Sequence, residues 1–488
     1  MITKTKAPAS KSGRISRKTT KSSPAKKANT GHIKQTKRAA SSKTASSTTA
    51  KGHAPAKKTS QTKTTPKKPT TKNAKAPRAR AKSTSVPEVL VRMYNVGFGD
   101  CFLVEFPKDG DVLRVLVDCG STSKGSLSMP DLVDTLLADV ADPKLGNAPR
   151  IDVVVCTHRH ADHVSGFANE AWKSLHVKEV WMPWTEDPKD PKAKKIREAQ
   201  SSLAKGLQVH LQAALRAGAD ASIQWQLDLA ENALSNAAAM EQLHKKFSPE
   251  PKRLYLSSDG SPLTVKTNAL PGVKAFVLGP SKDEAVIRDM NPEKGQTYLR
   301  QLSQATRDGE PFEPFADNWQ FDPNSYSTKL SKLSKRDVSL LAEASSSWNP
   351  AIAVALDAAV NGTSLVLAFQ MGEALLFFPG DAQWGTWKAL LENSDTQELL
   401  GKAKLWKVGH HGSHNATPKD FLEKNATVDC CAMMSTKMGK FKSIPRAPLL
   451  DAVKSKGIEL ARSDAPIPSP SKRFSLGRSS QIETKIPI

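Results

Sequence analysis

The sequence predicts an α+β protein, ordered from about residue 87 onward and preceded by a long basic tail. Three observations carry this. Short β-branched runs separated by Gly-containing turns occur at both ends of the ordered region. Between them, residues 192–247 are rich in Ala, Leu, Gln, Lys and Glu, which favour helix. Four His and Asp side chains fall within the six residues 158–163, directly after one of the strand-like runs.

The tail is defined by charge. Residues 1–86 hold 24 Lys and Arg and no Asp or Glu, which leaves 48 basic against 48 acidic residues in the rest of the chain. The whole net charge of +24 therefore lies in one segment. Built from Lys, Ser, Thr, Ala and Pro, it cannot bury a core and is expected to be disordered. Paired lysines such as Lys26 and Lys27, Lys57 and Lys58, and Lys67 and Lys68 suit nucleic acid or another polyanion, bound by counterion release without reading sequence. A solubilising or linker role stays open. Its length, its Lys bias and the lack of an amphipathic stretch argue against a transit peptide.

No apolar stretch near Met1 suggests a secretory signal, and no run of about 18 apolar residues suggests a membrane span. The best candidate, residues 351–360, is short and carries Asp357. The expectation is a soluble, cytoplasmic protein without a membrane partner, with association with DNA left open. The five cysteines are odd in number and lie mostly in or beside apolar runs, as buried small hydrophobes do in a reducing compartment. No C-x-x-C pair exists, so a thiolate zinc site is not expected.

Taken in order, residues 89–96, 101–106 and 113–120 read as a strand meander. Residues 129–140 have helical spacing, with Leu132, Leu136, Leu137 and Val140 on one face. The apolar run 151–156 is a buried strand, and 177–182 another. Residues 192–247 suit two or three helices broken near Gly218 and Ser222. Strand character returns at 273–280, and 281–350 is polar and loop-rich. Residues 364–370 and 374–379 form a hairpin across Met371-Gly372-Glu373. Strands at 405–409, 428–435 and 458–464 and a helix at 448–456 follow, and 466–488 is expected to be an irregular tail.

The cluster Thr157-His158-Arg159-His160-Ala161-Asp162-His163 sits on a strand-to-helix loop, a usual place for reactive groups on a rigid scaffold. Imidazole and carboxylate together suit a divalent transition metal such as zinc, manganese or iron. His176, His210 and His244 have no second ligand at metal spacing and are read as structural or surface residues.

The spacing H-x-H-x-D-H resembles the signature of the metallo-β-lactamase-fold hydrolases. The segment Asn95-Val96-Gly97-Phe98-Gly99-Asp100-Cys101 is similar to the D-V-G-Q-G-D-A opening of one branch of that superfamily. This branch includes the soluble hydrolase domain of bacterial DNA-uptake (competence) channel proteins. Leu405 to Ser413 resembles its K-V-x-H-H-G-S segment, and Gly380-Asp381 its bridging-carboxylate position. The resemblance implies an αββα sandwich over residues 87–465, with 185–350 a largely helical or loop insertion that covers the site or meets a protein partner. It implies one or two divalent ions, zinc foremost, with manganese or iron as alternatives. His158, His160 and Asp381 would hold the first, and Asp162, His163, His410 and Asp381 the second. Asp118 and Asp100 would orient the ligand loop from behind. Asp162 and His411 would take part in catalysis, and Lys407, His411 and Ser413 are candidate contacts to developing charge. The match departs in two places. None of the histidines between the first cluster and Asp381 makes a convincing ligand for the slot where classical members place one; Asn361-Gly362-Thr363-Ser364, similar to the branch's N-x-x-S segment, stands there instead. His160 occupies a position where the branch often has Asp.

Two functions of different class follow from such a site. One is a metal-dependent phosphodiesterase or nuclease acting on nucleic acid gathered by the tail. The other is a small-molecule hydrolase of a lactone, thioester or cyclic nucleotide. A metal-stabilised binding protein without catalysis is the third reading.

Overall fold

The computed structural model describes residues 86–216, 221–297 and 350–488, apart from the single positions 235, 291, 294, 416, 442 and 480. The basic tail with its six named lysines, and the polar stretch 298–349 with Trp319 and Trp348, lie outside the described residues.

Strands β1 (Glu88–Met93), β2 (Cys101–Lys108) and β3 (Asp111–Cys119) form an antiparallel meander. Helix α1 (Met129–Asp139) starts where Ser128 accepts the N–H of Asp131, with a proline in the first turn. A two-residue strand β4 (Ala141–Asp142) pairs with the start of β5 (Ala148–Val155), which lies parallel to β3. The one-turn helix α2 (Ala161–Val164) precedes β6 (His176–Pro183), parallel to β5. Helices α3 (Pro191–Arg216), α4 (Gln224–Leu234) and α5 (Ala237–Glu241) lead to β7 (Lys252–Leu256), which extends the same sheet.

The second sheet begins with β8 (Leu263–Thr264) and β9 (Lys274–Gly279). After α6 (Glu284–Arg288) and α7 (Pro350–Asn361) come the hairpin β10 (Val366–Met371) and β11 (Ala374–Phe378). Helices α8 (Trp384–Glu392) and α9 (Ser394–Gly401) then lead to the parallel strands β12 (Leu405–Lys407), β13 (Cys431–Met434) and β14 (Glu459–Arg462), with α10 (Ala447–Ser455) between the last two. Finally β15 (Phe474–Leu476) and β16 (Ile482–Pro487) return to the first sheet. Its order is β15-β16-β1-β2-β3-β5-β6-β7; the second runs β14-β13-β12-β11-β10-β9-β8.

Strand alternation builds four layers. Val153 and Val155 of β5 join Phe102, Phe369, Leu376 and Phe378 in the core between the sheets. Val154 points the other way, toward Leu132, Val133 and Leu136 of α1. On the far side Phe377 and Trp406 pack on Trp387 and Leu390 of α8 and Val453 of α10. Each sheet thus buries one face on the other sheet and one on helices, an αββα sandwich.

Two expectations are corrected. Residues 466–488 are not an irregular tail: β16 pairs with β1 over its whole length, and Ile482, Thr484 and Ile486 alternate inward. Glu, Lys and Thr between the isoleucines hid a period of two. Nor is 185–350 wholly an insertion, because β7 extends the first sheet and β8 and β9 the second. Of its helices, α3 and α4 pack with α7 through Leu203, Leu207, Leu211, Leu227, Leu356 and Val360. Among the described residues no helix is long and apolar enough to cross a membrane.

Candidate metal centre

The ligand loop leaves the carboxyl end of β5 and meets three other loops. Gly120 and Gly99 let these backbones close on it. A Cβ on Gly120 would lie 2.4 Å from the Val164 nitrogen, and one on Gly99 2.5 Å from the Asp162 oxygen. Asp118 itself takes a left-handed φ of 57°, and His410 and His411 follow with 43° and 53°. Each such non-glycine residue stores roughly 1–3 kcal/mol of strain. Here the strain aims side chains at a common centre.

That centre is dense with donors. Two sets of potential ligand atoms each fall within 4.8 Å of one another: His158, His163 and Asp381, and Asp162, His163 and His411. All five residues are buried. His163 Nε2 lies 3.1 Å from Asp381 Oδ2, and His411 Nε2 lies 3.0 Å from Asp162 Oδ2. His160 adjoins them through Nδ1, 3.1 Å from His158 Nε2.

The other ring nitrogens are held from behind. His163 Nδ1 donates to Asp118 Oδ2 at 2.8 Å, and His411 Nδ1 to the Ser435 carbonyl at 2.9 Å. His158 Nδ1 lies 3.1 Å from Thr157 Oγ1. These contacts select tautomers whose Nε2 lone pairs face the centre, as metal-ligating histidines require. Asp118 also accepts Thr157 N–H at 2.8 Å and Thr157 Oγ1–H at 2.6 Å, which ties the carboxylate to the ligand loop. Asp100 and Asp381 share the buried Lys407: its Nζ contacts Asp100 and lies 3.2 Å from Asp381 Oδ1. Lys407 is thereby committed to those two carboxylates. Ser413 bonds His410 Nδ1 and Asn415 and does not reach the centre.

The electrostatics suit a divalent cation. Burial lowers the His163 pKa, but the carboxylates of Asp381, Asp162, Asp118 and Asp100 outweigh it and hold the imidazole well above its usual range. Burial raises Asp162 and Asp381, yet His163 with His411 for the one, and Lys407 with His163 for the other, bring both carboxyls below the usual range. In this cluster of buried carboxylates, Asp162 Oδ1 has no hydrogen-bond partner. An orphaned acceptor in a His/Asp set is what a divalent ion would satisfy.

The structure exchanges the expected roles of the paired histidines. His411, not His410, reaches the ligand atoms. His410 turns its Nε2 toward Asn361 at 3.3 Å and Asp357 at 3.8 Å, while its backbone N–H donates to Asp381 Oδ1 at 2.8 Å. Two successive left-handed residues bring this about, and residue type alone does not encode it. Sequence reasoning also missed Asp357. Its signal was a lone charge in the apolar helix α7, four residues before Asn361, and was read only as an interruption of an apolar run.

A cavity opens onto His160, Asp162 and Asp381. Phe98, 4.2 Å from the His411 ring, walls one side together with Phe441. Helix α4 closes another side with Leu229 and Asn232, and Asn232 accepts the Asp162 N–H at 3.2 Å. At the rim Lys440 pairs with Asp228 at 3.0 Å.

Residues 94–234 match the family profile of the metallo-beta-lactamase superfamily, a span that includes the ligand loop but ends before Asp381 and His411. No curated protein matches the chain. Among solved structures, zinc-bound PqqB from Methylobacterium extorquens is similar at 10% identity with a TM-score of 0.32, over 77% of this chain and 98% of that one. The two facing sheets, the helices on both outer faces and the family match together make this a metallo-β-lactamase fold, with a metallo-β-lactamase superfamily domain at residues 94–234.

Proposed function

We propose that this chain is a metal-dependent hydrolase of phosphodiesters whose substrate is nucleic acid. The observation that carries the hydrolase reading is the pair of buried ligand groups sharing His163 at the floor of a cavity. A divalent ion bound there supplies Lewis-acid charge and a water of lowered pKa. The chain's own groups prepare the site: Asp118 and the Ser435 carbonyl hold the tautomers of His163 and His411. Lys407 neutralises Asp100 and Asp381, and Phe98 with Phe441 keeps water from one wall.

The nucleic-acid part rests on two supports. The acid-free basic segment 1–86 would concentrate a polyanion in a salt-dependent manner, and residues 95–101 and 405–413 resemble the DNA-uptake branch. A small-molecule hydrolase is the second reading, favoured by the lining of the cavity, where the apolar Phe98, Leu229 and Phe441 stand beside the polar His160, Asp162 and Asn232.

The test uses purified protein with Zn²⁺ or Mn²⁺ on single- and double-stranded DNA and on a small chromogenic phosphodiester. Nuclease function predicts DNA cleavage that Asp162→Ala abolishes. Deleting residues 1–86 should then weaken cleavage and its salt dependence while small-substrate turnover survives. Wild type that leaves DNA intact but turns over the small ester supports the second reading. No cleavage of either, or undiminished cleavage by Asp162→Ala, refutes both.

A further inference from the structure

Helix α7 brings to the cavity one carboxylate that the ligand groups do not use. Asp357 is the only charged residue of the helix and is buried. Its neighbours Leu356 and Val360 serve the apolar contact with α3 and α4, so packing alone has no need of it. A carboxylate is costly to bury without a partner.

The position of Asp357 answers a gap in the histidine set. His158, His163 and His411 each have the ring nitrogen that faces away from the centre within 3.1 Å of an oxygen, from Thr157, Asp118 and Ser435 respectively. His160 does not. Its Nδ1 faces His158, while its buried Nε2 has no hydrogen-bond partner. Asp357 Oδ1 stands before that nitrogen at 3.8 Å. Its other oxygen is fixed by Asn361 Nδ2 at 3.1 Å, which leaves Oδ1 for His160. Closing from 3.8 Å to hydrogen-bond length needs a shift of under about 1 Å.

We infer that Asp357 is the positioning residue of His160: it accepts the Nε2–H, fixes the tautomer whose Nδ1 lone pair joins His158, and thereby sets the affinity of that half of the centre for a divalent cation. This rests on the metal-centre reading above. The carboxylate comes from a helix outside the sandwich, so the α7 roof over the cavity helps hold the metal as well as shape the space above it.

The experiment measures Zn²⁺ affinity of the full chain by competition with a chromophoric chelator, and the Co²⁺ absorption spectrum of the same proteins. Asp357→Ala should weaken Zn²⁺ binding by about 10–100-fold and alter the Co²⁺ spectrum. Asp357→Asn, which keeps the shape and one acceptor oxygen, should weaken it less and covers the case in which the alanine variant fails to fold. In a His160→Ala background, adding Asp357→Ala should cost no further affinity, the non-additivity expected of a coupled pair. Wild-type affinity in both Asp357 variants overturns the inference, as does a loss that adds in full to that of His160→Ala. If the wild type itself binds no divalent ion, the metal-centre reading fails and this inference falls with it, an outcome distinct from the other two.

Discussion

Asp118→Asn probes the construction of the centre most directly. Asp118 accepts three donors: Thr157 N–H at 2.8 Å, Thr157 Oγ1–H at 2.6 Å and His163 Nδ1–H at 2.8 Å. An asparagine has one acceptor oxygen. Turned toward Thr157 N–H, it presents its amino group to His163 Nδ1 and favours the tautomer that protonates Nε2, the nitrogen facing Asp381. Turned the other way, it leaves a buried backbone N–H unpaired, at about 1–3 kcal/mol. Loss of a carboxylate behind a ligand histidine costs about 10–100-fold in metal affinity, roughly 1.4–2.8 kcal/mol. His163 belongs to both ligand groups. The substitution should therefore weaken both, whereas His158→Ala or His411→Ala should act mainly on its own group. Chelator competition resolves the two, and melting of the metal-free protein controls for folding. Unchanged affinity, or a loss confined to one group, would refute the reasoning.

Three further expectations follow from the geometry. His411→Ala should lower metal affinity by more than tenfold and His410→Ala by less, as measured by the same titration; the reverse order would restore His410 as the ligand. Burial raises the Glu186 carboxyl, but Arg159 and His244 outweigh it and hold the pKa at about 2. Because this folded value lies below the unfolded one, the stabilisation is present above about pH 4.5 and is lost as pH falls toward 2, on the order of 3 kcal/mol. Urea unfolding across that window should show Glu186→Gln with a flatter acid limb, and an unchanged limb would contradict the pairing. Removing residues 466–488 strips β15 and β16 and takes away buried Phe474, Ile482 and Ile486, each worth about 1.5–3 kcal/mol. The truncated chain should melt far below the full one, and an unchanged melting temperature would mean that the β1–β16 pairing contributes nothing.

Much of the sandwich was legible because its strands are continuous apolar runs bounded by glycine or proline. The ligand loop stood out because four potential donors fall within six residues. Asp381 stood out through its place after a strand end. The remainder depends on backbone geometry or on contacts distant in sequence. Residue type cannot choose between His410 and His411; left-handed φ values at both positions do. Asp357 lies 197 residues after His160 in sequence and meets it only through the fold. Strand β16 was hidden because polar residues alternate with its isoleucines, so an average over the segment looks like a tail.

The helical segment bears on function in a way its sequence did not announce. It does not merely lie over the centre. Asn232 of α4 accepts the Asp162 N–H at 3.2 Å, and Asn236 donates to the Arg159 carbonyl. Arg159 itself forms a two-pronged pair with Glu186 at 2.9 and 2.7 Å, just before α3. The loop that carries His158, His160, Asp162 and His163 is therefore braced from the helices as well as from the sandwich. Ligand atoms come from strand ends, whereas much of the cavity wall comes from α4 and α7. Reshaping that wall changes which substrate fits, but Asn232 and Asp357 tie the same wall to Asp162 and His160. Substitutions there are expected to shift substrate preference and metal affinity together, so a specificity change at these positions must be read against metal content before it is credited to the cavity's shape.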